Sequence, residues 1–409
     1  MTGFDKKSNN VTSPLLLKTS GLTFDQKDRI SQLNEQENEL ISSLPSDDPM
    51  DPSRRKRVLA TWPEITGQPS SIRKTIEFNS PKISKVAELI VNGRFQRIYM
   101  IGCGDSLACH HAVQHLFENL TGLTVLPIQA LEFAYYPPCK LDKNSIIVCL
   151  SSSGATPRTV EALYTAQIAG AFTVAVTNTF GSVLDREADI SFLIKATRVG
   201  WPTQSSTSAM AVLAQLAVEV GLHSSYSIDL VEKISRELSQ IPKLIESIIL
   251  RKREQTGDIA KEIFLSSRKS EQKHIAVPSV HFSAAGPALA SAMFGAAKFR
   301  ECTPLHGQLV HLEEFHHYTS VKPGENLIII SPNGPSRARA VDTVRHAKYW
   351  GVSPIGITMG DDMLDKHFTK VVQLPLIDEL LSAFLCTIPL QMMAVQAAEY
   401  EFEAADLEQ

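Results

Sequence analysis

Nothing in this sequence is spaced for a membrane span, a disulfide frame or a metal cage. No apolar run approaches the roughly 20 residues a spanning helix needs. The first thirty residues are polar apart from Leu15-Leu16-Leu17, so no secretory leader is expected. The six cysteines (Cys103, Cys109, Cys139, Cys149, Cys302, Cys386) lack both paired metal-ligand spacing and the density of a disulfide-stapled domain. Cys149 and Cys386 lie in apolar runs and read as core. A net charge of −4 gives no electrostatic case for nucleic acid or an anionic membrane. The single basic cluster, Arg54-Arg55-Lys56-Arg57, has the ordinary reading of a solvated linker or helix surface. These absences leave a protein of a reducing, cytoplasmic compartment with a small-molecule partner.

What is present is apolar matter in rhythm. With 409 residues, 43% of them hydrophobic, the chain has material for two to three domains. Residues 24–44 have the pattern of a surface helix, and Pro45 to Pro52 should break it. Helices are expected near 71–78 and 83–91. From Arg97 short apolar strands alternate with helical stretches, the signature of a parallel sheet covered on both faces. Strands are predicted at 98–101, 124–128, 145–150, 173–176 and 190–194. After a polar helical segment over 228–272 the rhythm repeats, with strands at 275–282, 327–330, 354–358 and 371–374. Internal duplication of one α/β unit is the simplest account.

The most informative stretch follows the third strand. The apolar run Ser145-Ile146-Ile147-Val148-Cys149-Leu150 stops at Ser151-Ser152-Ser153-Gly154-Ala155-Thr156, and Pro157 opens a helix. Helix-start N–H groups favour an anion, and the hydroxyls add neutral donors around it. Lys and Arg are absent between Lys143 and Arg158, which speaks against a polyanion. The plain alternative is a Ser-rich turn with good capping residues. A second loop, Gly102-Cys103-Gly104-Asp105-Ser106, follows the first strand. Ligands of open parallel sheets sit beyond the carboxyl ends of the strands, so the two loops together suggest a phosphate cradle.

At these residues the sequence resembles the sugar isomerase (SIS) domain family. The family carries a Gly-Cys-Gly-Thr-Ser-like first loop and a Ser-x-Ser-Gly-x-Thr second loop. The second block looks like the partner domain of its two-domain members, the isomerase half of glucosamine-6-phosphate synthase and the fructosamine-6-phosphate deglycases. Lys298-Phe299-Arg300-Glu301, Glu313-Glu314-Phe315-His316-His317 and Ile388-Pro389-Leu390-Gln391 carry that likeness. The resemblance implies that Ser106, Ser151, Ser153 and Thr156 hold a phosphate, with Cys103, Gly104 and Ser152 completing the cradle. It implies that Glu301 moves a proton between the first two sugar carbons. It implies that His317 opens the ring, supplied in relatives by the neighbouring subunit, and that Thr203 and Lys298 contact substrate.

Chemistry agrees with those roles without proving them. Proton abstraction beside a carbonyl or imine needs a carboxylate held dry, and Glu301 ends a largely apolar helix. Ring opening suits an imidazole that trades a proton near neutral pH. Equally, Glu301 could be a helix-end charge paired with Lys298 at i to i+3. His306, His311, His316 and His317 could form a solvated or interfacial cluster. They lack the spacing of a metal site. His110, His111 and His115 read as a surface or interface face.

The departures matter too. Relatives carry a Val-Ala-Ser-Thr-Lys-like stretch where this chain has Gly200-Trp201-Pro202-Thr203-Gln204-Ser205, so a Lys is gone and Trp201 adds bulk. Tyr318-Thr319 follow His317 instead of Gly-Pro. The last eleven residues, from Glu399 to Gln409, contain no Lys, so a tail-lysine mechanism is not expected. No Cys follows Met1, and no glutamine-hydrolysing domain is expected. The expectation is therefore α/β: two tandem three-layer αβα SIS domains with parallel sheets, after an N-terminal helical segment. The divisions are 1–60 (tail and helix), 61–225, 226–272 (connector) and 273–409. The expected function is an enzyme, a homodimer or higher homo-oligomer, acting on an amino- or amine-linked sugar 6-phosphate by C1/C2 proton transfer, as deglycase, deaminase or isomerase. It would need neither metal nor organic cofactor, and would bind neither nucleic acid nor membrane. The alternative is a non-catalytic phosphosugar sensor.

Overall fold

The computed structural model describes residues 13–17, 20–42, 46–93, 95–224, 226–272, 279–318, 320–360 and 363–408. The strands are β1 (Arg97–Gly102), β2 (Thr124–Gln129), β3 (Ser145–Leu150), β4 (Phe172–Thr177), β5 (Ile190–Leu193), β6 (Ser279–Ala284), β7 (His306–His311), β8 (Asn326–Ser331), β9 (Ile355–Met359) and β10 (Lys370–Leu374). The helices are α1 (Phe24–Ser42), α2 (Pro52–Asn92), α3 (Asp105–Thr121), α4 (Ala130–Tyr135), α5 (Pro157–Ile168), α6 (Val183–Glu187), α7 (Gln204–Ser224), α8 (Ile228–Gln272), α9 (Leu289–Cys302), α10 (Arg337–Tyr349) and α11 (Ser382–Leu407).

Two all-parallel, five-stranded sheets result, ordered β2-β1-β3-β4-β5 and β7-β6-β8-β9-β10. The orders correspond strand for strand, as duplication of one unit requires. Every residue of β3 is buried, which is why its sequence reads as one apolar run and not as an alternation. In the first sheet the order reverses at β1, so the connections leaving β1 and β3 diverge and open a crevice between them. One apolar core runs through both halves, joining Val58 and Ile65 of α2, Val113 of α3, Leu213 of α7, Phe294 of α9 and Leu390 of α11. Smaller cores cover the outer faces of the two sheets, around Phe133 and Leu163 in the first and Phe315 and Val344 in the second.

Several expectations change here. The two short helices expected near 71 and 83 are parts of one 41-residue helix, α2, which passes through Pro63, Pro69 and Pro81. Pro63 and Pro81 face solvent, where water can take up the carbonyl each leaves unbonded. Pro69 is buried, and the Gln68 side-chain amide donates to the Ile65 carbonyl in its place at 3.0 Å. Val58, Ile65, Ile72, Asn79 and Val86 recur every seven residues on the buried face. Asn79 seals edge strand β5, donating to the Leu193 carbonyl at 2.8 Å and accepting from the Leu193 N–H at 3.0 Å.

The basic cluster is not a solvated run either. Arg54 is 4% exposed, pairs with Glu401 at 2.6 Å and donates to the Cys302 carbonyl at the end of α9. His110 is not on a surface: it is fully buried with Nε2 3.2 Å from the Ile101 carbonyl, and burial pushes it down to about 3. Two helices, α7 and a segment ending with α11, are long and apolar enough to cross a membrane. Their apolar windows are 83% and 94% buried within the protein, as core helices are.

Candidate active site

The cradle is built where β1 and β3 end. Gly104 takes a φ of +54°, turning the chain from β1 into α3. Gly154 takes +63°, and a Cβ there would lie 2.0 Å from Ser182 Oγ, so only glycine fits where this loop packs against the turn between β4 and α6. Around it the hydroxyls converge. Ser151 Oγ lies 2.8 Å from Thr156 Oγ1 and 3.2 Å from Ser153 Oγ, and accepts the Gly154 N–H at 3.1 Å. Ser152 instead donates to Asn178 Oδ1 at 3.0 Å. Among the described residues no side chain caps α3 or α5; the Ser106 N–H donates to the Cys103 carbonyl at 3.0 Å and Pro157 has no N–H, and the other first-turn N–H groups are open to a ligand.

These loops line a cavity of about 300 Å³ with contributions from both halves of the chain. Cys103, Gly104 and Ser106 come from the first loop, and Ser151 to Ser153 with Thr156 from the second. Arg198, Pro202, Ser205 and Ser206 close one side, and Ala297 and Glu301 of α9 close the other. Every residue assigned to the phosphate cradle therefore reaches one cavity, together with Glu301.

Glu301 is the strained charge of the site. Burial pushes its carboxyl up to about 7; Lys298 works against that rise and Asp105 adds to it. Lys298 is 1% exposed and lies between the two acids, 2.8 Å from Asp105 Oδ2 and in contact with Glu301 Oε2. Burial opposes the Lys298 charge, but the two carboxylates override it and hold the ammonium above its usual range. Lys298 is thus an internal ion-pair partner, with no surface left facing the cavity. Asp105, a residue not singled out from sequence, carries the other end of this bridge. It also accepts from Ser206 Oγ at 3.4 Å.

Two expected residues stand elsewhere. Thr203 is fully buried, its hydroxyl has no partner among the described residues, and it does not line the cavity. His317 follows edge strand β7, is 62% exposed and lies 3.6 Å from Glu313, outside the cavity lining. His316 is tied to Thr343 at 2.9 Å and to His346 at 3.0 Å. Among the described residues no three His, Cys, Asp or Glu side chains converge as metal ligands.

The second sheet repeats the topology without the cradle. After β8 the small-residue loop contains Gly334, and a Cβ there would meet the Glu379 carboxylate at 2.2 Å. Burial, then Asp378, raises the Glu379 carboxyl. An acid thus fills the place corresponding to the anion site of the first sheet.

The family model of the SIS domain matches residues 94–219 and 275–399, more than half of the chain. The chain belongs to the SIS-domain family, with two copies of the domain. Among curated relatives, the glutamine–fructose-6-phosphate aminotransferase (isomerizing) of Thermococcus kodakarensis is 27% identical over 340 residues, 82% of this chain and 54% of that protein. The enzyme of the same name from Aquifex aeolicus is 28% identical over 338 residues, 81% of this chain and 53% of its own. The chain spans about half the length of the curated relatives it matches. The C-terminal domain of glucosamine-fructose-6-phosphate aminotransferase from Francisella tularensis superposes with a TM-score of 0.74 at 21% identity, covering 87% of this chain and 98% of that one. A glucosamine-6-phosphate deaminase from Thermotoga maritima gives 0.59 at 18% identity, covering 83% and 94%. At these identities the structural likenesses speak for the fold.

Proposed function

We propose that the protein binds an amino- or amine-linked sugar 6-phosphate in this cavity and moves a proton between C1 and C2. The observation that carries the reading is Glu301. A carboxyl poised near 7 exchanges protons freely at neutral pH, and it shares one small cavity with a neutral, hydroxyl-lined anion cradle. The phosphate is held by Ser106, Ser151, Ser153, Thr156 and the starts of α3 and α5. Glu301 takes the proton from one carbon and returns it to its neighbour. Buried Lys298 limits the cost of the carboxylate form. The names of the relatives, which act on fructose 6-phosphate or glucosamine 6-phosphate, support a substrate of this class.

Ring opening falls to His317, and its exposed position suits delivery into the cavity of a second copy of the chain. The same position also favours the second reading, a phosphosugar sensor whose site lacks the imidazole. Two measurements separate them. A thermal-shift panel of sugar phosphates tests the cradle, where ligand at a hundred times its Kd adds about 2.7 kcal/mol. Incubation with fructosamine 6-phosphate or glucosamine 6-phosphate, followed by detection of isomerised sugar or released amine, tests the chemistry. Binding without turnover assigns the sensor, and no stabilisation by any sugar phosphate removes both readings.

A further inference from the structure

Two imidazoles meet where the loop after β7 rests on α10. His316 ends the turn Glu314–His316, directly before His317, and its ring lies edge-on to that of His346 with the centroids 4.8 Å apart. Their Nδ1 atoms are 3.0 Å apart. The tautomer of His316 follows from Thr343. That hydroxyl donates its one proton to the Arg339 carbonyl at 3.0 Å, so toward His316 Nε2, 2.9 Å away, it can only accept. His316 therefore carries its N–H on Nε2, and its Nδ1 lone pair is aimed at His346. The floor beneath is firm: Phe315 is fully buried and stacks on Trp350, whose ring lies 6.2 Å from that of His346. Nearby charges are matched, Glu313 with Arg339 at 2.8 and 2.9 Å and Asp342 with Arg345 at 3.2 Å.

A ring nitrogen whose partner fixes the N–H on the far side is the arrangement of a metal-bound histidine. Without an ion, His346 donates its Nδ1–H across the gap. His346 is exposed, so its proton can stand on Nε2 instead, facing water, and two lone pairs then converge. Nitrogens at about 2.0–2.1 Å from a tetrahedral ion stand about 3.4 Å apart, so the rings need part by only about 0.4 Å. We infer that His316 and His346 chelate a divalent transition ion of the zinc, copper or nickel class, and that the bound ion restrains the turn before His317. Among the described residues no third His, Cys, Asp or Glu joins them, so water fills the other positions and the ion is exchangeable. His346 stands 30 residues beyond His316, so no local spacing records the pair. The site does not depend on the function proposed above. Where that function holds, the ion would keep His317 from reaching a partner's cavity.

The test titrates the full chain with zinc chloride in a calorimeter and follows backbone amide exchange with and without the metal. Wild type should take up an ion that His346→Ala binds at least about tenfold more weakly, the loss that removing even an orienting partner of a ligand causes. His346 is exposed, so the variant should fold. His317→Ala, which removes a neighbouring imidazole outside the pair, should bind as wild type does. Saturating zinc should slow exchange of the 314–318 amides in wild type and leave it unchanged in His346→Ala. No uptake by wild type, or equal uptake by wild type and His346→Ala, overturns the site. So does loss of binding in His317→Ala, because loose surface imidazoles then hold the ion. Binding with unaltered exchange at 314–318 overturns the restraint.

Discussion

Replacing Glu301 by Gln should make the protein inactive and should shift its stability relative to wild type upward as pH rises. The Glu301 carboxyl titrates near 7 in the folded chain against an ordinary 4.5. A raised carboxyl pKa means the folded state holds the proton more tightly, so its contribution is complete below about 4.5 and disappears as pH rises through about 7. Between pH 5 and pH 8.5 that loss is about 2.5 kcal/mol. Gln keeps the shape and does not titrate, so Glu301→Gln escapes the loss. Relative to wild type, its stability should therefore rise by about 2.5 kcal/mol over that interval, or about 3 °C in Tm for a chain of 409 residues. Thermal melts of both proteins at half-unit pH steps read this directly. Comparing differences cancels every titrating group that does not interact with Glu301. Any constant cost of leaving Lys298 with Asp105 alone shifts the curve without changing its slope. A difference that stays flat with pH would show that Glu301 is already ionised in acid, and would remove the poised carboxyl on which the proposed chemistry rests.

Other outcomes follow from single contacts. Gly154→Ala forces a side chain into positive φ and against Ser182, and should cost about 1–3 kcal/mol in denaturant melts along with most sugar phosphate binding. Asn79→Ala orphans both backbone groups of Leu193 on β5 and should lower stability by about 2–3 kcal/mol, with faster amide exchange confined first to that strand. Mixing inactive Glu301→Gln with inactive His317→Ala should restore about a quarter of wild-type turnover if His317 acts in a partner's cavity, since half the pairs are mixed and each has one intact site. Two variants that remain dead after mixing place the ring-opening group elsewhere.

The sheets were legible because parallel strands buried on both faces leave uninterrupted apolar runs, as at Ile146 to Leu150. Strand β7 was not, since His306 to His311 sits at a sheet edge with most of its residues part-exposed and reads as polar. Helix α2 was hidden by its prolines. Their local penalty is outweighed by packing along a seven-residue repeat, and Gln68 repairs the one buried gap. The hydroxyl loop was legible because its whole chemistry lies within six consecutive residues. The Asp105–Lys298–Glu301 bridge was not, since it joins the two halves of the chain and no local pattern records it. One signal pointed there: Asp105 stands where the resembling family carries a Thr. Arg54 hid inside a basic run whose members prove to do different work: it is buried against Glu401, while Arg55 pairs with Asp406.

Helix α2 also has a mechanical consequence. Arg54 anchors its start to the second half through Glu401 and the end of α9, while Thr61, Thr75 and Asn79 fasten its length to the first half. A single rod thus bolts together the two bodies that share the cavity. Parting them like a clamshell would either break a buried ion pair or strip the cover from β5. The cavity should therefore exchange its contents without any swinging of the halves.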